Sequence, residues 1–244
     1  MTIRQMSPKV PEDVERLYGV HTVVEALKNP KRKFIQLVAS KNAADRIASE
    51  IAAAGLVPEI AIPRDIDRVV GPDAVHQGLL LDCKPLRQPR LDQIPRQGIV
   101  VLLDQVTDPH NVGAIMRSCA AFAVTALVAT ARHSPEASGV LFKAASGAYE
   151  HVPFPKVTNL ARAMEELKSY GFRLLGLDSE AEKDIGEASP ERPVALVLGA
   201  EGKGLRQLTR LTCDEVVRLD MPGQIASLNV SNAAAIALYA LSRR

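Results

Sequence analysis

The chain has no tryptophan, and aromatic residues make up only 4% of its 244 positions. Base-stacking platforms therefore have little to be built from. If RNA is a partner, it must be held mainly through phosphates, by local basic clusters. Candidates are Lys28, Lys31, Arg32 and Lys33; Arg87, Arg90 and Arg96; and Arg206 with Arg210. A solvated charged face explains any one of them equally well, and the formal net charge of +2 announces no nucleic-acid binder. Cysteine is nearly as scarce. Cys83, Cys119 and Cys213 are odd in number, far apart, and form no CxxC pair. They read as reduced thiols of a cytoplasmic protein. The five histidines show no ligand spacing, so no metal site is expected. No apolar run approaches the roughly 20 residues of a membrane span, and the first residues lack the apolar core of a signal peptide. The expectation is a soluble globular chain with no membrane partner, large enough for one large domain or two small ones.

What is present falls into two rhythms. Residues 1–16 are polar and expected to be a disordered tail. Across 17–84 a small αβ unit is legible: helices over 20–27 and 43–54, strands over 34–39, 57–62 and 79–83. Residues 85–97 carry prolines and basic residues without periodicity, which reads as an extended linker. From 98 to 244 strands and helices alternate regularly. Ile99–Leu103 and Val194–Leu198 are continuous apolar runs, the mark of strands buried on both faces. Short parallel strands separated by helices imply ligands at the carboxyl ends of the strands.

Three loops at such ends are candidates. In the first, Asp108-Pro109 turns out of a strand, Asn111 is placed to cap a helix over 111–122, and Arg117 lies in that helix's second turn. An amide and a planar cation there suit a ribose or phosphodiester; an ordinary cap and a salt-bridged arginine are the plain alternative. The second, Leu198-Gly-Ala-Glu-Gly-Lys-Gly-Leu205, can wrap a ligand with backbone groups. It is neither a P-loop nor a dinucleotide fingerprint, which disfavours a dehydrogenase-like nucleotide binder. Glu201 within it would repel phosphate but tolerate a cation. The third is Met221–Leu241. Pro222 and Gly223 belong to a loop, Ala233–Leu241 to a helix, and Ser227, Asn229, Ser231 and Asn232 crowd the junction. A helix needs one cap; four short polar residues suit the grip of a polar ligand, or an over-capped helix packing its alanine face.

Asp108-Pro-His-Asn-Val-Gly-Ala-Ile-Met-Arg117, Leu196-Val-Leu-Gly-Ala-Glu-Gly-Lys-Gly204 and Met221 to Ala233 together resemble the three signature motifs of the SpoU-type RNA ribose 2′-O-methyltransferases of the SPOUT superfamily. Leu17-Tyr-Gly-Val-His-Thr-Val-Val-Glu-Ala-Leu27 and Val75-His-Gln-Gly-Leu-Leu-Leu81 are similar to the substrate-binding domain of the subgroup that methylates a guanosine in 23S rRNA. The resemblance implies an α/β protein: a small N-terminal α/β substrate-binding domain, then a SPOUT domain with a mostly parallel sheet and a C-terminal trefoil knot. It implies a homodimer using S-adenosyl-L-methionine, with Gly199, Leu219 and Leu228 on the cofactor and Asn111, Arg117, Glu201, Ser227 and Asn229 as the catalytic set. A tRNA-methylating sibling and a non-catalytic RNA-binding relative are the alternatives. The second is disfavoured because Asn111, Arg117 and Glu201 are all present.

Overall fold

The polar N-terminal stretch does not stay outside the fold. In the computed structural model, which describes residues 2–3, 6–188, 193–224 and 227–243, Ile3 and Met6 are buried against Val38, Ile66, Val69 and Leu80. The Ile3 amide donates to both carboxylate oxygens of Glu59, at 2.9 and 3.0 Å. Disorder over 1–16 was expected from mean polarity, but two apolar side chains and one distant carboxylate anchor the stretch.

The chain folds as two compact units, Met1–Arg87 with Glu136–Glu150, and Gln88–Pro135 with His151–Arg244. In the first, β1 (Glu15–Tyr18), α1 (Val20–Lys28), β2 (Phe34–Ala39), α2 (Lys41–Arg46), α3 (Ala48–Ala53), β3 (Glu59–Ile60), α4 (Pro63–Val70) and β4 (Leu79–Cys83) follow one another. The sheet order is β1-β4-β2-β3. Its central strand β4 runs antiparallel to β1 and β2, and its three leucines are fully buried. The helix expected over 43–54 is broken at Ile47 (φ −118°, ψ 29°) into α2 and α3. The strand expected over 57–62 shrinks to an edge pair, because Pro58 withholds an amide hydrogen and Pro63 opens α4 at its first turn.

The second unit contains β5 (Ile99–Asp104), α5 (Pro109–Ala121) and β6 (Ala126–Thr130). Next in the chain comes α6 (Gly139–Ala145), which folds with the first unit although its sequence lies inside the α/β half. The second unit then resumes with β7 (Lys156–Val157), α7 (Leu160–Ser169), β8 (Arg173–Leu177), β9 (Lys183–Asp184), β10 (Val194–Gly199), α8 (Gln207–Thr212), β11 (Glu215–Arg218) and α9 (Val230–Ser242). Seven strands pair in the order β7-β6-β5-β10-β8-β11-β9, every pairing parallel. The two apolar runs lie side by side as β5 and β10, each buried along its length apart from the terminal Gly199. From β5 the chain builds outward through β6 to β7, then crosses to β8 before β10 fills the gap. The direction of winding therefore reverses between β5 and β10, where open parallel sheets bind ligands.

Residues 85–97 are not a free linker. Leu91–Gln93 form a 3₁₀ turn, Leu91 and Ile94 enter the core of the second unit, and the Gln88 side-chain Oε1 accepts from the Phe154 amide at 2.7 Å. Arg96 lies 4.3 Å from the centre of the Tyr170 ring. Three arginines of the proposed basic clusters are tied to carboxylates in a related way. Arg32 is 5% exposed and paired with Glu15 and Glu150. Arg206 and Arg210 are paired with Asp104 and Asp178.

Candidate functional site

Four adjacent strands, β5, β10, β8 and β11, present their carboxyl ends on one edge of the second unit, and two pockets open there. The first, of about 280 Å³, lies between Leu177–Ser179, the loop Leu198–Gly204, Leu219 and Met221, and the start of α9. The second, of about 390 Å³, lies between Gln105–Asp108, Asn111, His133 and the same glycine-rich loop. Ala200, Glu201 and Val230 border both.

Each wall has a local cause. At Gly199 an added Cβ would overlap the carbonyl of Gly204 and stand 2.5 Å from the Leu205 nitrogen. Only glycine lets the loop fold back over the strand end, where Gly204 donates to the Ala200 carbonyl at 2.9 Å. The loop leaves through Arg206, whose amide and Nε donate to the buried Asp104 carboxylate at 3.1 and 2.6 Å. On the other side Asp178 accepts from the Glu180 amide (2.9 Å) and from Arg210 Nη1 (2.8 Å). Two acidic strand ends are thus neutralised from the α8 segment.

The α5 helix begins earlier than expected. Asp108 is its cap, accepting from the His110 amide at 2.9 Å, and Pro109 takes the first helical position. That frees Asn111 from capping. Its Oδ1 instead accepts from Asn229 Nδ2 at 3.0 Å, and the same Nδ2 donates to Glu201 Oε2 at 3.2 Å. Asn229 also caps α9, its Oδ1 accepting from the Ser231 amide (2.9 Å) and hydroxyl (2.6 Å). Both donors and both lone pairs of one amide are used, which fixes its orientation. The helix therefore starts at Val230 and not at Ala233.

Of the residues proposed from sequence, Gly199, Leu219, Leu228, Ser227 and Glu201 line the first pocket. Asn111 and Glu201 line the second, with Asn229 tying them together. Arg117 is apart. It is exposed on α5, lines neither pocket, and has no side-chain partner among the described residues. Ile225 and Ala226, within the third loop, lie outside the described residues.

Sequence reasoning missed Leu177-Asp178-Ser179, although the end of another buried parallel strand was a usable signal. It also missed Gln105 and His133, two non-glycine residues held at φ 61° and 63° beside the second pocket. Such backbone strain gathers at binding sites. The cysteines take no part: burial pushes the thiols of Cys83 and Cys213 up to about 12. Among the described residues no helix is long and apolar enough to cross a membrane.

Residues 98–239 match the SpoU rRNA Methylase family, and residues 16–89 match the RNA 2′-O ribose methyltransferase substrate-binding family. The chain is 36% identical to a 23S rRNA (guanosine-2′-O-)-methyltransferase of Yersinia pestis, with 94% of this chain and 97% of the relative covered. The Escherichia coli enzyme of the same name is 35% identical, with 94% and 98% covered. In fold the chain is similar to the SpoU methyltransferase AviRb of Streptomyces viridochromogenes, solved in complex with AdoMet (TM-score 0.79, 22% identity, 95% and 90% covered). A tRNA-modifying TrmH/SpoU enzyme of A. aeolicus matches over only 62% of this chain and 77% of its own (TM-score 0.54, 29% identity). With both halves of the sequence matched and full-length relatives above 30% identity, the chain belongs to the SpoU rRNA methylase family.

Proposed function

We propose that the protein transfers a methyl group from S-adenosylmethionine to the ribose 2′-hydroxyl of a guanosine in 23S rRNA. The observation that carries the reading is the junction of the two pockets at Glu201, where Asn229 locks loops from three strand ends. The rRNA assignment is supported by the curated relatives, which match along nearly the whole chain, whereas the tRNA-modifying neighbour leaves more than a third of it unmatched. We also propose that the enzyme works in the cytoplasm, as an rRNA substrate would require.

The first pocket fits the donor. Leu177, Leu198, Leu219, Leu228 and Ala233 give it apolar walls for an adenine, and Leu228 is 38% exposed. Asp178 on its wall is already paired with Arg210, and among the described residues no lysine or arginine lines the pocket, which leaves Glu201 to favour a cationic ligand over a polyphosphate. When bound, S-adenosylmethionine supplies an electrophilic methyl group carried on a sulfonium.

The residues do the rest by alignment and charge. Glu201 borders both pockets and sets the sign of the potential at their junction. Asn111, with its Oδ1 committed to Asn229, keeps its amide hydrogens for a ribose oxygen. Ser227 and Asn229 hold the approach from the C-terminal loop. Arg117 offers a planar fork of donors and is not the base. Exposed on α5 outside both pockets, it acts through the RNA, holding the phosphate beside the target ribose, while the hydroxyl proton passes to a phosphate oxygen or water.

We propose that the C-terminal segment forms the trefoil knot that the family resemblance implies, with the bonds from Asn229 to Asn111 and Glu201 as support. We also place the protein as a homodimer. On α9 the positions Asn232, Ile236, Tyr239 and Arg243 form one exposed face, with Ile236 47% and Tyr239 51% exposed, an apolar surface suited to a second copy.

Radiolabelled methyl transfer to 23S rRNA from a strain deleted for the gene tests the function. Label on one guanosine 2′-oxygen is expected; label on tRNA alone, or none, overturns it. Arg117→Lys is expected to lower kcat about tenfold or more with cofactor affinity unchanged, because a point charge replaces a bidentate fork. Near-wild-type turnover would remove the fork from the mechanism.

A further inference from the structure

We infer that Lys143 and Arg46, which converge on Gln77, form a phosphate-binding site on the first unit, and that its ligand is the backbone of the RNA substrate. The inference rests on the proposed function for the identity of the anion. It concerns residues outside both pockets and within one unit.

The turn that carries Gln77 is a fixed mount. The Gly78 amide donates to His76 Nδ1 at 3.0 Å, and the Ser40 amide donates to the Gly78 carbonyl at 2.8 Å. Between these two buried residues Gln77 is exposed and held at φ 54°, a conformation that L side chains rarely adopt. Its Oε1 accepts from Lys143 Nζ at 2.9 Å and from the Val20 amide at 3.1 Å. Its carbonyl accepts from Arg46 Nη2 at 3.4 Å. Lys143 reaches this point from α6 by lying across Gly19, where an added Cβ would meet its Nζ at 2.5 Å and its Cδ at 3.0 Å. A side chain at position 19 would close that path.

What sets the pair apart is a missing counter-charge. Among the described residues, the lysines and arginines that are buried or half-buried are Arg16, Arg32, Lys143, Lys168, Arg210 and Arg218. All but Lys143 have a carboxylate partner: Asp82, Glu15 with Glu150, Asp214, Asp178 and Asp220, in that order. Lys143 has a neutral amide oxygen instead, and burial pulls its ammonium below the ordinary lysine value with no acid to offset it. Arg46, exposed on α2, also bonds only a carbonyl. A partly desolvated charge without a partner is unfavourable until an anion meets it. In RNA the anions are the phosphates, one per nucleotide, and base edges and ribose hydroxyls carry no charge. A chain with so few aromatic residues must hold RNA through such contacts. Gln77 Nε2, which has no partner among the described residues, adds a neutral donor beside the two cations.

Lys143→Met keeps an unbranched stem over Gly19 and removes the charge, and Arg46→Met does the same on α2. Each is expected to weaken binding of an rRNA fragment about three- to tenfold at low salt. Each should also lower the slope of log Kd against log salt by about 0.7–0.9, the signature of one lost phosphate contact. Lys143→Arg, which keeps the charge, should restore the slope. Affinity for S-adenosylhomocysteine should be unchanged, and the Tm of Lys143→Met should be no lower than that of wild type, because the charge removed had no counter-ion. An unchanged salt slope in both methionine variants overturns the inference, and a lowered Tm alongside it would make Lys143 a structural clamp on Gln77. Wild-type protein that binds the fragment but transfers no methyl, with the slope still reduced in the variants, refutes the functional reading and leaves the phosphate site standing.

Discussion

Gly199→Ala is expected to abolish measurable cofactor binding while leaving the parallel sheet folded. The cause is geometric. Gly199 ends β10, the strand beside β5 at the reversal of winding, and its Cα faces the returning backbone of Gly204 and Leu205. The atoms an alanine Cβ would meet are a carbonyl carbon, a carbonyl oxygen and an amide nitrogen. None of these can swing aside as a side chain can. The loop must therefore open, breaking the Gly204-to-Ala200 hydrogen bond and withdrawing the wall shared by Ala200, Glu201 and Gly202. An affinity loss of at least about a hundredfold follows, about 2.8 kcal/mol in binding free energy. The fold itself should lose about 1–3 kcal/mol, the usual range for overpacking. Calorimetry with S-adenosylhomocysteine and thermal denaturation separate the two effects. Gly202→Ala is the control: its φ is +76° but nothing lies within 4 Å of an added Cβ, so only backbone strain of about 1 kcal/mol applies. If Gly199→Ala binds within threefold of wild type, the glycine-rich loop is not the cofactor wall.

The same loop shows how far sequence reading reaches. Its position after a buried apolar run was legible because a strand covered on both faces has no polar alternation to disguise it. Glu201 stood out because an acid in a glycine-rich turn contradicts phosphate binding. The bond that joins it to the site was not legible, since Asn229 lies 28 residues on and Asn111 is 118 residues from Asn229. The misplaced cap of α5 has a local reason. Asp108 and Asn111 are both good caps, and the missing amide hydrogen of Pro109 makes the earlier choice the better one. The basic clusters were legible only in part. Lys28, Lys31, Lys33, Arg87, Arg90 and Arg96 are exposed, whereas Arg32 is buried by a partner, Glu150, that lies 118 residues away. The unit that α6 joins was not legible for a third reason. Residues 138–146 have a helix pattern that fits between two parallel strands, and nothing local says which body the helix joins. Tyr18, Thr22 and Arg32 decide that, from the other end of the chain.

Asn229→Asp separates the two tasks of the residue at the centre of the site. Asparagine and aspartate cap helices about equally well, so the bonds to the Ser231 amide and hydroxyl survive and α9 keeps its start. What disappears is the Nδ2 that donates to Asn111 and Glu201, replaced by an oxygen facing two acceptors at 3.0 and 3.2 Å. Asn111 can answer by turning its own amide hydrogens toward the new carboxylate, which removes them from the ribose side of the second pocket. Glu201 has no such answer and must move away from a like charge, loosening the junction of the pockets. Losing a preorganised donor at a reacting oxygen costs about 10²–10³ in turnover, and that range is expected for kcat. Stability should change by less than about 1 kcal/mol, whereas Asn229→Ala, which also loses the cap, should lose about 1 kcal/mol more. Single-turnover methyl transfer and thermal denaturation of the two variants decide the matter. Equal activity in Asn229→Asp and wild type would reduce Asn229 to a helix cap and leave Asn111 and Glu201 as unconnected neighbours.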